Sequence, residues 1–132
     1  MTGGGRFLLD THAFLWAITD DPRLSETGST VFLDRENQLL LSLASVWEMS
    51  IKASLGKLQL ARPLRELISE QTVRLGVLLL PIELAHATAV QHLPFHHRDP
   101  FDRLLVAQAR CEQLTLVSAD QVLDRYDVAR VW

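Results

Sequence analysis

Short apolar runs recur along this chain, each too brief for a helix and each followed by a longer amphipathic stretch. They are Phe7-Leu8-Leu9, Leu39-Leu40-Leu41, Val77-Leu78-Leu79-Leu80, Leu114-Thr115-Leu116-Val117 and, more weakly, Val128-Ala129-Arg130-Val131. Continuous apolar runs of this length suit strands buried on both faces, as in a parallel sheet. Leucine is a poor strand former, so length and position carry the reading more than residue type. Between the runs, residues 11–19, 25–35, 44–56, 63–74, 82–91, 100–112 and 120–125 read as helical. Trp47, Ile51 and Leu55 recur at i, i+4 and i+8 and give the third of these segments one apolar stripe. Ser25 suits an N-cap, Gly56 a helix end, and Pro63 and Pro81 helix entries. The alternation predicts a three-layer α/β/α sandwich around a central parallel sheet of four or five strands.

A chain of 132 residues, 48% of them hydrophobic, is ample for one packed core. Residues 1–5 read as a flexible lead-in and 6–132 as a single domain. The formal net charge of -3 excludes overall attraction to nucleic acid, so any such binding must come from a local patch. The lone Cys111, expected within a helix, excludes an internal disulfide and fits a reducing cytoplasm. Neither a secretory apolar core nor a run of the roughly 20 apolar residues needed to span a bilayer is visible. The expectation is a soluble, cytoplasmic protein that engages no membrane.

Four acids fall where a strand should give way to a helix, or just inside that helix: Asp10, Glu48, Asp102 and Asp120. The carboxyl ends of parallel strands line one crevice, where distant residues converge. Converging carboxylates repel one another unless a cation sits among them, and hard oxygen ligands favour Mg²⁺ or Mn²⁺. Simpler duties compete at each position. Asp10 and Asp120 also suit helix N-caps, and Glu48 also suits an i, i+4 pair with Lys52. Asp99-Pro100-Phe101-Asp102 is a strong helix start, with Asp at the N-cap, Pro at N1 and an acid at N3. The same i, i+3 spacing puts Asp99 and Asp102 on one helical face, able to bridge a cation. His96 and His97 read as a solvated loop, with phosphate contact as their functional option, because zinc sites show nitrogen or sulfur ligands at several positions.

Four fragments, in order, carry a family resemblance: Leu8-Leu9-Asp10-Thr11-His12; Ser45-Val46-Trp47-Glu48-Met49-Ser50-Ile51-Lys52 through Leu55-Gly56-Lys57-Leu58; His97-Arg98-Asp99-Pro100-Phe101-Asp102-Arg103-Leu104-Leu105-Val106-Ala107-Gln108-Ala109; and Leu116-Val117-Ser118-Ala119-Asp120. Together they resemble the PIN-domain ribonucleases, and within them the VapC-type toxins of bacterial toxin–antitoxin pairs. The resemblance covers nearly the whole chain. It implies a metal-dependent endoribonuclease with Asp10, Glu48, Asp102 and Asp120 as its acidic quartet and Asp99 as an extra carboxylate. It also implies a small antitoxin partner and a homodimer.

Arg98, Arg103, Lys52 and Lys57 supply local positive charge beside the acids and are the expected phosphate contacts. Large apolar residues at Phe14, Leu15, Trp16, Ile18, Leu24, Val31, Phe32 and Leu33 exceed what one inward stripe requires and suit a partner segment. Two other readings compete. A haloacid-dehalogenase-like phosphatase also places Asp after its first strand, but needs a second Asp where this chain has His12. A non-catalytic, phospho-receiver-like regulatory module would need an Asp after the third strand, where this chain has Pro81-Ile82-Glu83.

Overall fold

A computed structural model describes residues 4–132. The apolar runs become five parallel strands: β1 (Arg6–Leu9), β2 (Gln38–Ser42), β3 (Val77–Leu80), β4 (Thr115–Val117) and β5 (Arg130–Val131), in sheet order β3-β2-β1-β4-β5. Six α-helices connect them: α1 (Thr11–Ile18), α2 (Glu26–Leu33), α3 (Leu43–Ser54), α4 (Leu64–Leu75), α5 (Leu84–Ala89) and α6 (Pro100–Glu112). Two short 3₁₀ turns, Val90–His92 and Gln121–Arg125, complete the described elements.

Strand residues alternate between two cores, and that alternation is what makes the fold three-layered. Leu8, Leu40 and Leu116 point to one face, where they meet Leu105 and Val106 of α6, Leu93 and Tyr126. Leu9, Leu39, Leu41, Val77 and Val117 point to the other, against Phe14 of α1, Val31 of α2, Met49 of α3 and Ile68 of α4. Both cores exclude water, which is why the runs lack the polar alternation of a half-exposed strand. The edge strand β3 is the exception, with Leu78 and Leu79 exposed.

Local chemistry sets most helix boundaries. Ser25 caps α2 by accepting from Gly28 N at 2.9 Å, and Gly56 follows the end of α3 with φ +72°, a conformation that a Cβ would strain. Pro63 is the N-cap of α4 rather than its first helical residue. Pro81 stands outside α5, whose N-cap is Glu83 in a capping box with His86. Cys111 lies exposed in the last turn of α6. Residues 1–3 of the expected lead-in lie outside the described residues. Gly5 is fastened to the sheet, its N–H donating to Asn37 Oδ1 and its carbonyl accepting from Gln38 N.

The stripe read on α3 faces the other way. Trp47 is 59% and Leu55 62% exposed, and the buried face of the helix is Ala44, Ser45, Glu48 and Met49. A helix that lines a polar cleft turns its small and charged residues inward, which reverses the usual amphipathic rule.

Candidate active site

In the order β3-β2-β1-β4-β5 the chain winds one way from β1 through β2 to β3 and the other way through β4 to β5, so the carboxyl ends of β1 and β4 flank the switch point where open α/β sheets form a crevice. A cleft of about 340 Å³ opens there, lined by Asp10, Glu48, Asp99, Asp102 and Asp120, with Thr11, His12, Lys52 and His97. The structure thus brings together all five acids singled out in the sequence, although they come from four separate stretches of chain.

Each is placed by its own backbone. Asp10 leaves β1 and caps α1, accepting from Ala13 N at 2.7 Å, while its own N–H donates to the Val117 carbonyl of β4 at 3.1 Å. Glu48 is buried on the inner face of α3. Thr11 Oγ1 donates to its Oε1 at 2.6 Å, and Lys52 Nζ lies 2.8 Å from its Oε2. Asp99 caps α6, accepting from Phe101 N at 2.8 Å and Asp102 N at 3.2 Å, with Pro100 at the first helical position. Asp102 follows in the first turn of α6. Asp120 caps the second 3₁₀ turn, accepting from Val122 N at 3.0 Å. Trp47 packs edge-on against Phe101 with ring centres 5.4 Å apart, which holds α3 against the start of α6 and Glu48 in the same cleft as Asp102. The capping and cleft-lining readings of Asp10, Asp99 and Asp120 are therefore both correct.

The crowding has an electrostatic signature. The Asp102 carboxyl is pushed up from 3.8 to about 7, first by burial and next by the negative charge of Asp99, with Asp10 and Glu48 adding to the rise and His97 opposing it. Asp10 is raised as well, chiefly by burial, against the Ser118 side chain and the Ala13 N–H, which act in the opposite sense. Proton affinities raised in this way mark a place where added positive charge is strongly favoured.

His97, read as a solvated loop residue, instead reaches into the cluster. Its Nε2 lies 2.7 Å from Asp120 Oδ2 and 3.2 Å from Asp102 Oδ2. Thr11 was also missed. The signal for Thr11 was its place directly after Asp10, on the first turn of a helix entering the crevice. His97 had no comparable signal, because a loop residue obeys no periodicity.

The basic residues divide. Arg98 and Lys57 are exposed, and Lys52 is half-buried against Glu48. Arg103, expected to hold phosphate, is turned inward and only 5% exposed. Its guanidinium donates to the carbonyls of Pro94, Val90 and Leu93 and to Tyr126 Oη, and stacks on Phe95. With both terminal nitrogens committed to four acceptors and the side chain turned away from solvent, the guanidinium is not presented to a phosphate, so that expectation is corrected: Arg103 fastens the loop before α6 to the core.

A larger groove of about 850 Å³ adjoins the cleft and shares Thr11, His12, Trp16 and Lys52 with it. Its walls include Leu15, Ile18, Leu58 and Leu67. Of the apolar residues expected to be in excess on the first two helices, Phe14 and Val31 are core, Leu15, Trp16 and Ile18 line this groove, and Leu33 is 77% exposed.

Residues 7–129 match the sequence model of the PIN domain. The chain belongs to the PIN domain family. The competing readings find no footing in the fold: His12 occupies the place of the phosphatase's second Asp, and Glu83 after β3 serves as a helix cap beside His86. Comparison with the curated proteins finds no match. Among solved structures, VapBC2 from Rickettsia felis bound to a DNA fragment from their promoter is similar, at 15% identity and TM-score 0.70, covering 96% of this chain and 97% of that one. DNA-bound VapBC from Salmonella typhimurium gives 16% identity and TM-score 0.69, covering 96% and 97%. FitAcB from Neisseria gonorrhoeae gives 20% identity and TM-score 0.65, covering 96% of each chain. These structures share this chain's fold over essentially its whole length.

Proposed function

We propose that this chain is a metal-dependent endoribonuclease that acts in the cytoplasm as the toxin of a toxin–antitoxin pair, with residues 6–132 as its single domain. The observation that carries the reading is the convergence of Asp10, Glu48, Asp99, Asp102 and Asp120 on one cleft of a PIN domain. The donor set is one of carboxylate oxygens, and the raised proton affinity of Asp102 and Asp10 is what a hard divalent cation would relieve. These residues fit Mg²⁺ or Mn²⁺. Asp10, Glu48, Asp102 and Asp120 would hold it, with Asp99 beside them as an extra carboxylate. Such an ion supplies charge neutralisation at a scissile phosphate and lowers the pKa of a water nucleophile.

The chain's own side chains do the placing. Thr11 Oγ1 fixes one oxygen of Glu48 and Lys52 the other, so that carboxylate is oriented rather than free. The caps at Asp10, Asp99 and Asp120 each hold one carboxylate oxygen on backbone N–H groups. Lys57, exposed at the adjoining groove, and Arg98, exposed between His97 and Asp99, are proposed to hold RNA phosphates, with Lys52 contributing charge from inside the cleft. No helix among the described residues is long and apolar enough to cross a membrane.

The partner reading draws on the structural neighbours, which include a toxin–antitoxin complex from Klebsiella pneumoniae, and on the groove that adjoins the cleft. A small antitoxin laying an apolar segment against Leu15, Trp16 and Ile18 would put a basic side chain within reach of the carboxylates, in competition with the cation. A second copy of the chain is proposed to cover the exposed apolar edge at Leu78, Leu79 and Leu84.

The test is RNA cleavage with Mg²⁺ or Mn²⁺ against a chelator, for the parent and Asp10→Asn. Asparagine caps a helix as well as aspartate does, so the variant is expected to fold and to lose cleavage. Cleavage by Asp10→Asn at the parent's rate, with contaminating nuclease excluded, refutes the assignment. The toxin reading has its own check. A chain that is harmless when expressed alone, and that captures no product of a neighbouring small open reading frame, is not a toxin even if it cuts RNA.

A further inference from the structure

The His97 ring stands among the carboxylates with its side chain 18% exposed. One ligand atom each from His97, Asp102 and Asp120 lie within 4.8 Å of one another, a spacing that would suit a cation held by all three. The hydrogen bonds of the ring argue against that role for His97. The Asp99 N–H donates to His97 Nδ1 at 3.0 Å, so Nδ1 presents its lone pair and the ring hydrogen of the neutral imidazole belongs on Nε2. A nitrogen that carries hydrogen is a donor. Ligation through Nε2 would move that hydrogen to Nδ1, where it would face the Asp99 N–H at the cap of α6. The 2.7 Å from Nε2 to Asp120 Oδ2 is a hydrogen-bond length.

The ring is also aimed from behind. The His97 N–H donates to Tyr126 Oη at 2.9 Å, and Tyr126 Oη donates to the Pro94 carbonyl at 2.9 Å. Arg103 binds both of those groups from the core, and His96 packs edge-on against Tyr126 with centres 5.1 Å apart. Residues 94–97 are thereby anchored to α6 and to the 3₁₀ turn that follows Asp120. The two carboxylates that His97 touches come from those same two elements.

We propose that His97 is a positioning residue: its Nε2–H donates to Asp120 beside Asp102 and sets the separation of these two carboxylates, without itself coordinating the cation. This rests on the reading of the cleft as a cation site. The experiment takes the intact protein labelled with ¹⁵N at histidine. Long-range proton–nitrogen correlation spectra are recorded metal-free and with Mg²⁺, and pulsed electron paramagnetic resonance is recorded with Mn²⁺ as the probe. The expected result is an Nε2–H tautomer for His97 in both diamagnetic states and no directly bound nitrogen on Mn²⁺. His97→Gln retains an N–H donor and is expected to hold Mn²⁺ within about threefold of the parent, whereas His97→Leu weakens it by about tenfold, as loss of an outer-shell partner does. An Nδ1–H tautomer, or coupling to a bound imidazole nitrogen in a chain that takes up Mn²⁺, overturns the proposal while leaving the cation reading intact. A parent that takes up no Mn²⁺ overturns the cation reading, and the proposal with it.

Discussion

Asp102→Asn is expected to make the metal-free protein more stable at pH 8, and by an amount that vanishes in acid. The parent's carboxyl releases its proton near pH 3.8 when unfolded and at about 7 when folded. Between those values the native state binds a proton that the unfolded state has lost, so stability falls as pH rises through the window. At about 1.4 kcal/mol per pH unit the ceiling on that loss is on the order of 4 kcal/mol. Two effects reduce it. The Asp102 side chain is 28% exposed, so water screens part of the repulsion. Asparagine at the third position of α6 also forgoes roughly 0.5 kcal/mol of helix-dipole stabilisation. The variant should therefore exceed the parent by about 2 kcal/mol at pH 8 and by roughly a third of that at pH 5, the two converging only below about pH 3.8, where the parent's carboxyl is protonated in both states. Urea unfolding in chelator from pH 5 to 8.5 measures the difference. Titrations remote from the cleft are common to both proteins and cancel. Added Mg²⁺ should reverse the order, since only the parent keeps the full carboxylate set. A difference that does not grow with pH, or a parent more stable than the variant at pH 8 in chelator, refutes the account of a crowded acidic cleft.

Arg103→Met is expected to cost about 2 kcal/mol in urea unfolding, because the buried Leu93 carbonyl loses its donor while the Val90 and Pro94 carbonyls keep Leu93 N–H and Tyr126 Oη; a loss under about 1 kcal/mol would show that water replaces the guanidinium. Lys57→Gln and Arg98→Gln should each lower the slope of log affinity against log salt for single-stranded RNA by about 0.7 without changing unfolding, and an unchanged slope would remove them from the interface. Leu79→Arg should leave secondary structure intact and yield a monomer by analytical ultracentrifugation, and a dimer unaffected by that charge would require a different interface.

The parts of this fold that could be read from sequence are those governed by burial on both faces. Leu8-Leu9, Leu39-Leu40-Leu41 and Leu116-Val117 are apolar without interruption because each strand feeds two cores. Capping was equally readable, since Asp10, Ser25, Asp99 and Asp120 do what short polar side chains do at a helix start. Orientation was harder to read. The i, i+4, i+8 spacing of Trp47, Ile51 and Leu55 marks a face of α3 but does not say which way it looks, and the inner face is filled by Glu48 and small residues instead. Arg103 did carry a warning. It lies three and four residues before Val106 and Ala107, both buried, and so belongs to the inward stripe of α6. Reading it as a phosphate contact weighted its charge above its position.

The site's internal logic lies in how unevenly donors are shared among its acids. Asp10, Asp99 and Asp120 each accept backbone N–H groups as caps, and Glu48 has Thr11 on one oxygen and Lys52 on the other. Asp102 has no such provision. It sits at the third position of a helix it does not cap, and the nearest donor is His97 Nε2 at 3.2 Å, already committed to Asp120 at 2.7 Å. Burial beside Asp99 then acts on it almost unopposed, which is why its carboxyl rises to about 7. The carboxylate with fewest protein donors has the most to gain from a cation. Asp102 should accordingly be the acid whose removal costs the most metal affinity, and a titration of Mn²⁺ across the single Asn and Gln variants of the five acids would be refuted by any other ranking at the top. On the proposed reading, the hydrogen-bonded acids would hold the cleft in the absence of an ion, and Asp102 would give the ion its hold.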